Sequence, residues 1–461
     1  MRKLVLLGLV QGLLLLSGCG GGGSGSVVTP ASNNGTGGGG NQASNAITMT
    51  VDSGPNGNDV DTPFITVTVC APGSTTNCQQ IDHVEVDTGS YGLRIMSSVL
   101  SSSLASALQQ EVSTDGNSVV ECTQFADGFS WGPVKVADVQ IAGESASSVP
   151  IQVIGDPAYQ QTSTTGGTTT SEIPMACSSN GPEEDSVGSF GANGIIGVGV
   201  FAADCGGGCT LPTSGGRNPG FYYECPATAW SSPTNDYCSE IAISEAAQVT
   251  DPVTLFQTQD KNGVIVELPS TAEGAAGATG ILIFGIGTEA NNSLGAQTVL
   301  TASGSYGTIT TTYTTQSGQQ LVLPYSYFDT GSNAYYFTDD KIPSVQSCSI
   351  YHGYNTNNPD SWFCPGSELH LQATNMGLNG AQSTVTFPIG NAYTIFGSSS
   401  SGTVFDDLGA SSGPQPTDCG SQTTDTACAF DFGFPFFLGR NVYIAFVGAN
   451  TAWGTGPYFA Y

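Results

Sequence analysis

The chain of 461 residues reads as a mostly-β protein built from two duplicated halves, and three observations carry that reading. Apolar residues alternate or run together in short stretches such as "FITVTVC", "HVEVD", "VKVADVQIAG", "GVIVEL" and "VYIAFVG", the signature of half-buried and fully buried strands. Only 10% of residues are charged while 63 are glycine, a composition short of the residues that build surface helices and rich in those that build turns. The tetrapeptide Asp-Thr-Gly-Ser occurs twice, at 87–90 and 329–332, each time after a strand-like run. The length suits two packed units of about 150–200 residues.

The N-terminus reads as an address. Met1, Arg2 and Lys3 form a positive start, and Leu4 to Leu16 an apolar run too short to span a bilayer. Leu16-Ser17-Gly18-Cys19 resembles a bacterial lipobox, which implies a signal peptide over 1–18 and lipidation of Cys19. Several acyl chains at about 0.8 kcal/mol per buried CH₂ make such an anchor stable. Residue 20 is Gly rather than the Asp that retains lipoproteins at the inner membrane, so the expected place is the outer membrane of a bacterial envelope, on its periplasmic or surface face. Residues 19–46 form a Gly/Ser/Asn tether with a span of roughly 25–30 Å. An N-terminal lobe over 47–290 and a C-terminal lobe over 291–461 follow.

Strand-like runs dominate both lobes, including "TITTTYTT", "QLVLPYSYF" and "TVTFPIG". One helix is expected over 97–112 and a weaker one over "SEIAISEAAQ" at 239–248. Residues 157–190 and 204–240 read as loop insertions. There are 13 cysteines; setting Cys19 aside leaves an even number for disulfides in an oxidising compartment. Spacing suggests Cys70–Cys78, Cys348–Cys364 and Cys419–Cys428, with Cys122 and Cys177 as a further pair. Cys205, Cys209, Cys225 and Cys238 share one insert, where zinc is the alternative to disulfides but lacks a nearby His.

The net charge of −29 with eight Lys and Arg excludes nucleic-acid binding, which needs clustered cations. It also disfavours anionic lipid surfaces, leaving the lipid anchor as the membrane contact. His83, His352 and His370 form no ligand motif, and no serine lies in a Gly-x-Ser-x-Gly context.

The repeat extends beyond the tetrapeptide. "ANGIIGVGV" ends an apolar pair on Gly197, and "FDFGFPFF" places Gly433 at a similar interval past the second copy, imperfectly, because Asp431 precedes Phe432. Each half thus reads as strand, Asp-Thr-Gly-Ser, long β region, then apolar residues and Gly, which points to internal duplication. In these motifs, and in "GILIFGIGTEANNSLG" and "FFLGRNVYIAF", the chain resembles the pepsin-like aspartic proteases over roughly 60–450, as a bacterial lipoprotein branch of that superfamily.

The resemblance implies a bilobal fold with a pseudo-twofold axis, where Asp87 and Asp329 meet around a water. Two carboxylates about 4 Å apart repel by about 4 kcal/mol at an effective dielectric of 20, or about three pKa units, so the pair holds one proton over a wide acidic range. One would act as base on the water and the other as acid toward the peptide carbonyl. Gly89 and Gly331 would bring backbone N–H groups onto the carboxylates, Thr88 and Thr330 would bond across to the opposite loop, and Ser90 and Ser332 would hold the outer carboxylate oxygens.

The hairpin "ECTQFADGFSWGPVKV" corresponds to the family's flap. Phe125 stands where the family has Tyr, and Arg94 where it commonly has Trp. Phe125 stacked on the Arg94 guanidinium would replace that pair, with Trp131 as the other aromatic candidate and Asp127 and Gly128 at the turn. The expected function is an aspartic endopeptidase, a monomer acting on peptide or protein without metal or cofactor. The alternative is a catalytically silent binding lipoprotein of the same fold.

Overall fold

The computed structural model describes residues 43–461 apart from 161, 166–167, 172, 180, 212–220, 227–237, 345–361, 399–401, 415, 417–418 and 420–425. The signal peptide, Cys19 and most of the tether lie outside the described residues.

The first half opens with β1 (Ala46–Val51), β2 (Pro63–Cys70), β3 (Cys78–Asp87), β4 (Tyr91–Met96), β5 (Gln109–Gln110), β6 (Ser118–Gln124), β7 (Phe129–Ile141) and β8 (Glu144–Ile154). A ribbon of β9 (Thr162–Thr165) and β10 (Thr168–Ser171) precedes β11 (Gly194–Val198), β12 (Tyr222–Cys225), β13 (Ser239–Glu240), β14 (Gly263–Glu267) and β15 (Ala278–Phe284). The second half holds β16 (Val299–Thr301), β17 (Ile309–Thr314), β18 (Gln320–Phe328), β19 (Tyr335–Phe337), β20 (Leu369–Met376), β21 (Gln382–Ile389), β22 (Gly409–Ser411) and β23 (Asp431–Phe432). It closes with β24 (Asn441–Ala445), the β25 (Asn450–Thr451) and β26 (Gly454–Thr455) ribbon, and β27 (Tyr458–Ala460).

The large sheet runs β13-β12-β6-β7-β8-β4-β11-β3-β2-β1-β15-β14-β24-β27-β16, and the second runs β21-β20-β17-β18-β23-β19-β22. Strands covered on both faces are buried throughout: all six residues of β4 are buried, whereas β17 alternates buried positions with half-buried or exposed ones.

The duplication is visible as topology. β3 leads into the first Asp-Thr-Gly-Ser turn and β4 leaves it, while β11 lies between them, parallel to β3 and antiparallel to β4. In the second half β18 enters the turn, β19 leaves it, and β23 lies between them with the same parallel and antiparallel senses. Two equal loops, each straddled by a returning strand, make the mostly-β, bilobal, pepsin-like layout expected from the resemblance. Behind the second loop the rings of Phe430 and Phe432 stack at 4.2 Å between centroids, with Phe337 on Phe430 at 4.8 Å. This aromatic packing backs the turn with a stiff wall.

The helical expectations are corrected. Within 97–112 there is a 3₁₀ turn at Ser97–Val99 and a short α1 (Ser102–Ala107), after which Gln109 and Gln110 join β7 as β5. Leu100, Leu104 and Leu108 are buried and anchor the segment to the core. The serine run is too poor a helix former to carry the helix further. Within 239–248 there are β13 and a 3₁₀ turn at Glu245–Ala247. The 204–240 insertion is more than loop, because β12 within it pairs with β6, Tyr222 opposite Glu121.

Disulfides join Cys70–Cys78, Cys122–Cys177 and Cys419–Cys428 as expected, and the insert cysteines pair as Cys205–Cys209 and Cys225–Cys238. These bonds occupy the four sulfurs for which zinc was the alternative. Cys364 is disulfide-bonded; its expected partner Cys348 lies outside the described residues.

Candidate active site

Each returning strand supplies a glycine because backbone crosses backbone there. Gly197 sits opposite Asp87 and Gly92, and a Cβ on it would strike the Ser90–Tyr91 peptide. Gly433 follows Phe432, whose carbonyl accepts the Asp329 N–H at 3.0 Å, and a Cβ there would strike the carbonyls of Ser332 and Ala334. Only glycine lets the third strand approach so closely.

The two turns are bonded to each other. The Thr88 hydroxyl donates to Phe328 O at 2.8 Å and accepts from Thr330 N–H at 3.0 Å. Reciprocally, the Thr330 hydroxyl donates to Val86 O at 2.6 Å and accepts from Thr88 N–H at 3.1 Å. Four bonds between buried groups fix the loops face to face, in the reciprocal arrangement expected for this pair of threonines.

The aspartates meet across this lock. Gly89 N–H and Ser90 N–H donate to Asp87 Oδ1 at 2.7 and 3.1 Å, and Gly331 N–H donates to Asp329 Oδ1 at 2.8 Å. A Cβ on Gly89 would lie 2.5 Å from Asp329 Cγ, and one on Gly331 2.7 Å from Asp87 Cγ. Each glycine therefore makes room for the opposite carboxylate. The Asp87 side chain lies within hydrogen-bonding reach of that of Asp329. Both side chains are fully buried, while Gly89 is half-buried.

The serines are not equivalent. Ser332 Oγ donates to Asp329 Oδ2 at 2.9 Å, as expected. Ser90 touches Asp87 through its backbone N–H, and its Oγ has no protein partner, so the expected side-chain bond to the outer oxygen is corrected. Burial drives the Asp329 carboxyl well above the usual carboxylate range; the Asp87 charge and then the Asp431 charge add to it, and the Ser332 hydroxyl opposes them. Two such carboxyls can share a proton that one gives and the other takes.

Asp431, Tyr327 and Tyr91 were not singled out as site residues from the sequence. Asp431 is 2% exposed and stands in register with Tyr327, two residues before Asp329. It is the residue that spoils the second apolar-apolar-Gly pattern, and that irregularity was its signal. Burial raises the Tyr91 phenol, and the charges of Asp87 and Asp329 raise it further. Desolvation is also the main cause that raises half-buried Tyr327, and the charges of Asp431, Asp329 and Asp87 add to it.

The hairpin is placed differently from expectation. Its turn is closed by Phe125 N–H on Gly128 O at 2.8 Å and is held down by residues 181–184: Phe129 N–H donates to Pro182 O, and Glu184 N–H to Phe129 O. A Cβ on Gly128 would meet Pro182 O at 2.5 Å, and Asp127 O lies against Gly181. Phe125 is sunk among Phe64, Met96, Ile154 and Phe190. Trp131 donates through Nε1 to Tyr159 O at 3.0 Å and packs its ring on Tyr223. Neither aromatic side chain is exposed.

The expected Phe125–Arg94 contact is replaced by an ionic one. Arg94 Nη2 meets Glu121 Oε1 at 2.5 Å, Nε donates to Thr123 Oγ1 at 2.9 Å, and Nη1 donates to Tyr91 O at 2.8 Å. A guanidinium buried this deeply needs carboxylates rather than a ring face, and β6, which crosses nearby, supplies one.

Among the described residues no group of His, Cys, Asp or Glu is arranged to hold a metal ion, and no helix is long and apolar enough to cross a membrane. The family described as "Protein of unknown function (DUF3443)" matches residues 41–461. No curated protein matches the chain. Among solved structures it is similar to the aspartic proteinase from Irpex lacteus, at 13% identity and a TM-score of 0.45, over 90% of this chain and 96% of that one.

Proposed function

The chain belongs to the DUF3443 family, and we propose that it is an aspartic endopeptidase that hydrolyses peptide bonds by water activated between Asp87 and Asp329. The observation that carries this reading is the meeting of two buried carboxyl groups, one from each duplicated loop, with the Asp329 carboxyl biased toward its protonated form. In this scheme Asp87, fed by two backbone N–H groups, takes the proton of the attacking water. Asp329 gives its proton to the carbonyl oxygen as the tetrahedral intermediate forms. As the C–N bond breaks, the proton taken from water passes from Asp87 to the leaving amine, and a hydroxyl of the intermediate returns a proton to Asp329. The threonine lock keeps the carboxyls in this relation without reorganisation during the reaction.

The test is cleavage of a peptide library between pH 3 and 7, with pepstatin as inhibitor. Asp87→Asn and Asp329→Asn are each expected to lower kcat by about 10³-fold or more, since the pair acts as a unit. Wild-type protein that cleaves nothing but still binds peptide would instead support a silent binding module. We further propose that Cys19 carries the lipid anchor and that the tether holds the enzyme at the outer membrane. Metabolic labelling with an acyl analogue, lost in Cys19→Ser, checks this, and fractionation checks the membrane.

A further inference from the structure

The Arg94 cluster joins three segments that are far apart in sequence. Arg94 lies on β4, which leaves the Asp87 turn, in register with Ile195 on β11 and Gln152 on β8. Its Nη1 holds Tyr91 O, the first carbonyl after the Asp-Thr-Gly-Ser turn. Its Nη2 and Nε reach Glu121 and Thr123 on β6, the first strand of the hairpin. Its Nη2 also meets Asp204 Oδ2 at 3.2 Å, just past β11. The side chains of Arg94, Glu121 and Asp204 are at most 1% exposed.

A second tier braces the first. Gln152 donates to Glu121 O at 2.9 Å and accepts from Ser130 Oγ at 2.9 Å, tying both hairpin strands to β8. Tyr222 OH donates to Asp204 Oδ1 at 2.6 Å and accepts from Val249 N–H at 2.7 Å.

We propose that Arg94 is a positioning residue that sets the Asp87 turn and the β6–β7 hairpin in one fixed relation through this buried ionic cluster. All three guanidinium nitrogens are used, Nη1 on Tyr91 O, Nη2 on Glu121 and Asp204, and Nε on Thr123 and Glu121, and only a planar fork can do this; a lysine ammonium has neither the reach nor the directions. The cluster carries one cation against two carboxyl groups. Burial, then the charge of Glu121 and its hydrogen bond, push the Asp204 carboxyl well above the usual range, while the Arg94 charge and the Tyr222 hydroxyl oppose them. Loss of Arg94 leaves Glu121 buried and uncompensated between hairpin and turn, and both segments loosen together.

The test is amide hydrogen exchange on full-length protein carrying Arg94→Lys, Glu121→Gln or Asp204→Asn. Arg94→Lys and Glu121→Gln are expected to speed exchange by about a hundredfold in residues 118–135 and 88–93 together, with residues 369–389 of the other half unchanged. Asp204→Asn, which leaves the Arg94–Glu121 pair in place, is expected to speed exchange in both segments by less than Glu121→Gln does. Loosening of one segment without the other, loosening of all three, or no change overturns the proposal. If Arg94→Lys does not fold, Glu121→Gln is read by the same criteria. The catalytic arm rests on the proteolytic reading: Arg94→Lys should lower kcat about tenfold with KM nearly unchanged, and an unchanged kcat in an active enzyme overturns it. Exchange needs no turnover, so an inactive wild type sinks the proteolytic reading while leaving this one to be decided.

Discussion

At the scale of single residues, the site is a study in how burial sorts identical chemistry. Asp87 and Asp329 come from the same tetrapeptide, yet the environment around Asp329 contains a third carboxylate and that around Asp87 contains a cation-bearing strand. Asp431 raises the Asp329 carboxyl after burial and Asp87 have done so. Asp431→Asn removes a like charge, so the Asp329 pKa falls. The alkaline limb of the pH–rate profile is then expected to move to lower pH, by on the order of one unit. A limb that stays put or moves to higher pH contradicts the role given to Asp431. The two threonines, by contrast, behave alike, because each faces the same backbone groups of the other loop.

At the scale of elements, the unit is a turn flanked by two strands with a third between them. Its signature in sequence is sparse, yet it was readable: a strand, Asp-Thr-Gly-Ser, and a later glycine. The glycines are demanded by backbone approach, which makes them sharper markers than the apolar residues before them. Gly197→Ala or Gly433→Ala should destabilise the protein by about 3 kcal/mol or more, because the new Cβ meets carbonyl or peptide atoms that cannot rotate away. Urea unfolding measures this, and a cost below about 1 kcal/mol in both variants would contradict it. The α1 segment shows the opposite case. A helix was expected over 97–112, but pairing of Gln109 and Gln110 with β7 ended it, since ladder bonds to a neighbouring strand outweigh weak serine helix propensity.

At the scale of the whole molecule, the chain closes on itself. β1 pairs with β15, and the late strands β24 and β27 extend the same sheet through β14. The early segment is also tied to the second half directly. Asp61 N–H donates to Thr403 O, and Phe405 N–H donates to Asp61 Oδ1, each at 2.8 Å. Burial is the main cause that raises Asp61, and the charges of Asp407 and Asp406 add to it. Burial, then the charges of Glu273, Asp406 and Glu368, push Asp407 up to about 7.

Both carboxyls bind protons more tightly in the folded chain than in the unfolded one. Their contribution to stability is therefore full below the ordinary carboxylate pKa, near 4; that of Asp407 is lost as pH rises through about 7, and that of Asp61 as pH rises through its own raised pKa. The melting temperature is expected to fall by about 3 °C or more between pH 5 and pH 8, and Asp407→Asn to flatten that slope. A melting temperature that rises over this range would contradict the assignment.

The sequence by itself determined the β character, the duplication, the two Asp-Thr-Gly-Ser turns and the later glycine of each half, along with every disulfide whose cysteines the structure describes and whose spacing was distinctive, while the threonine lock was what the family resemblance implied. These features are written in local patterns or in pairs of identical motifs, so they survive reading one stretch at a time. Only the tertiary structure decided that Arg94 would face Glu121 rather than Phe125, that Asp431 would stand beside Asp329, and that Phe125 and Trp131 would be buried. Those outcomes depend on which distant strand crosses which, and a buried charge takes the nearest compensating group that the crossing supplies.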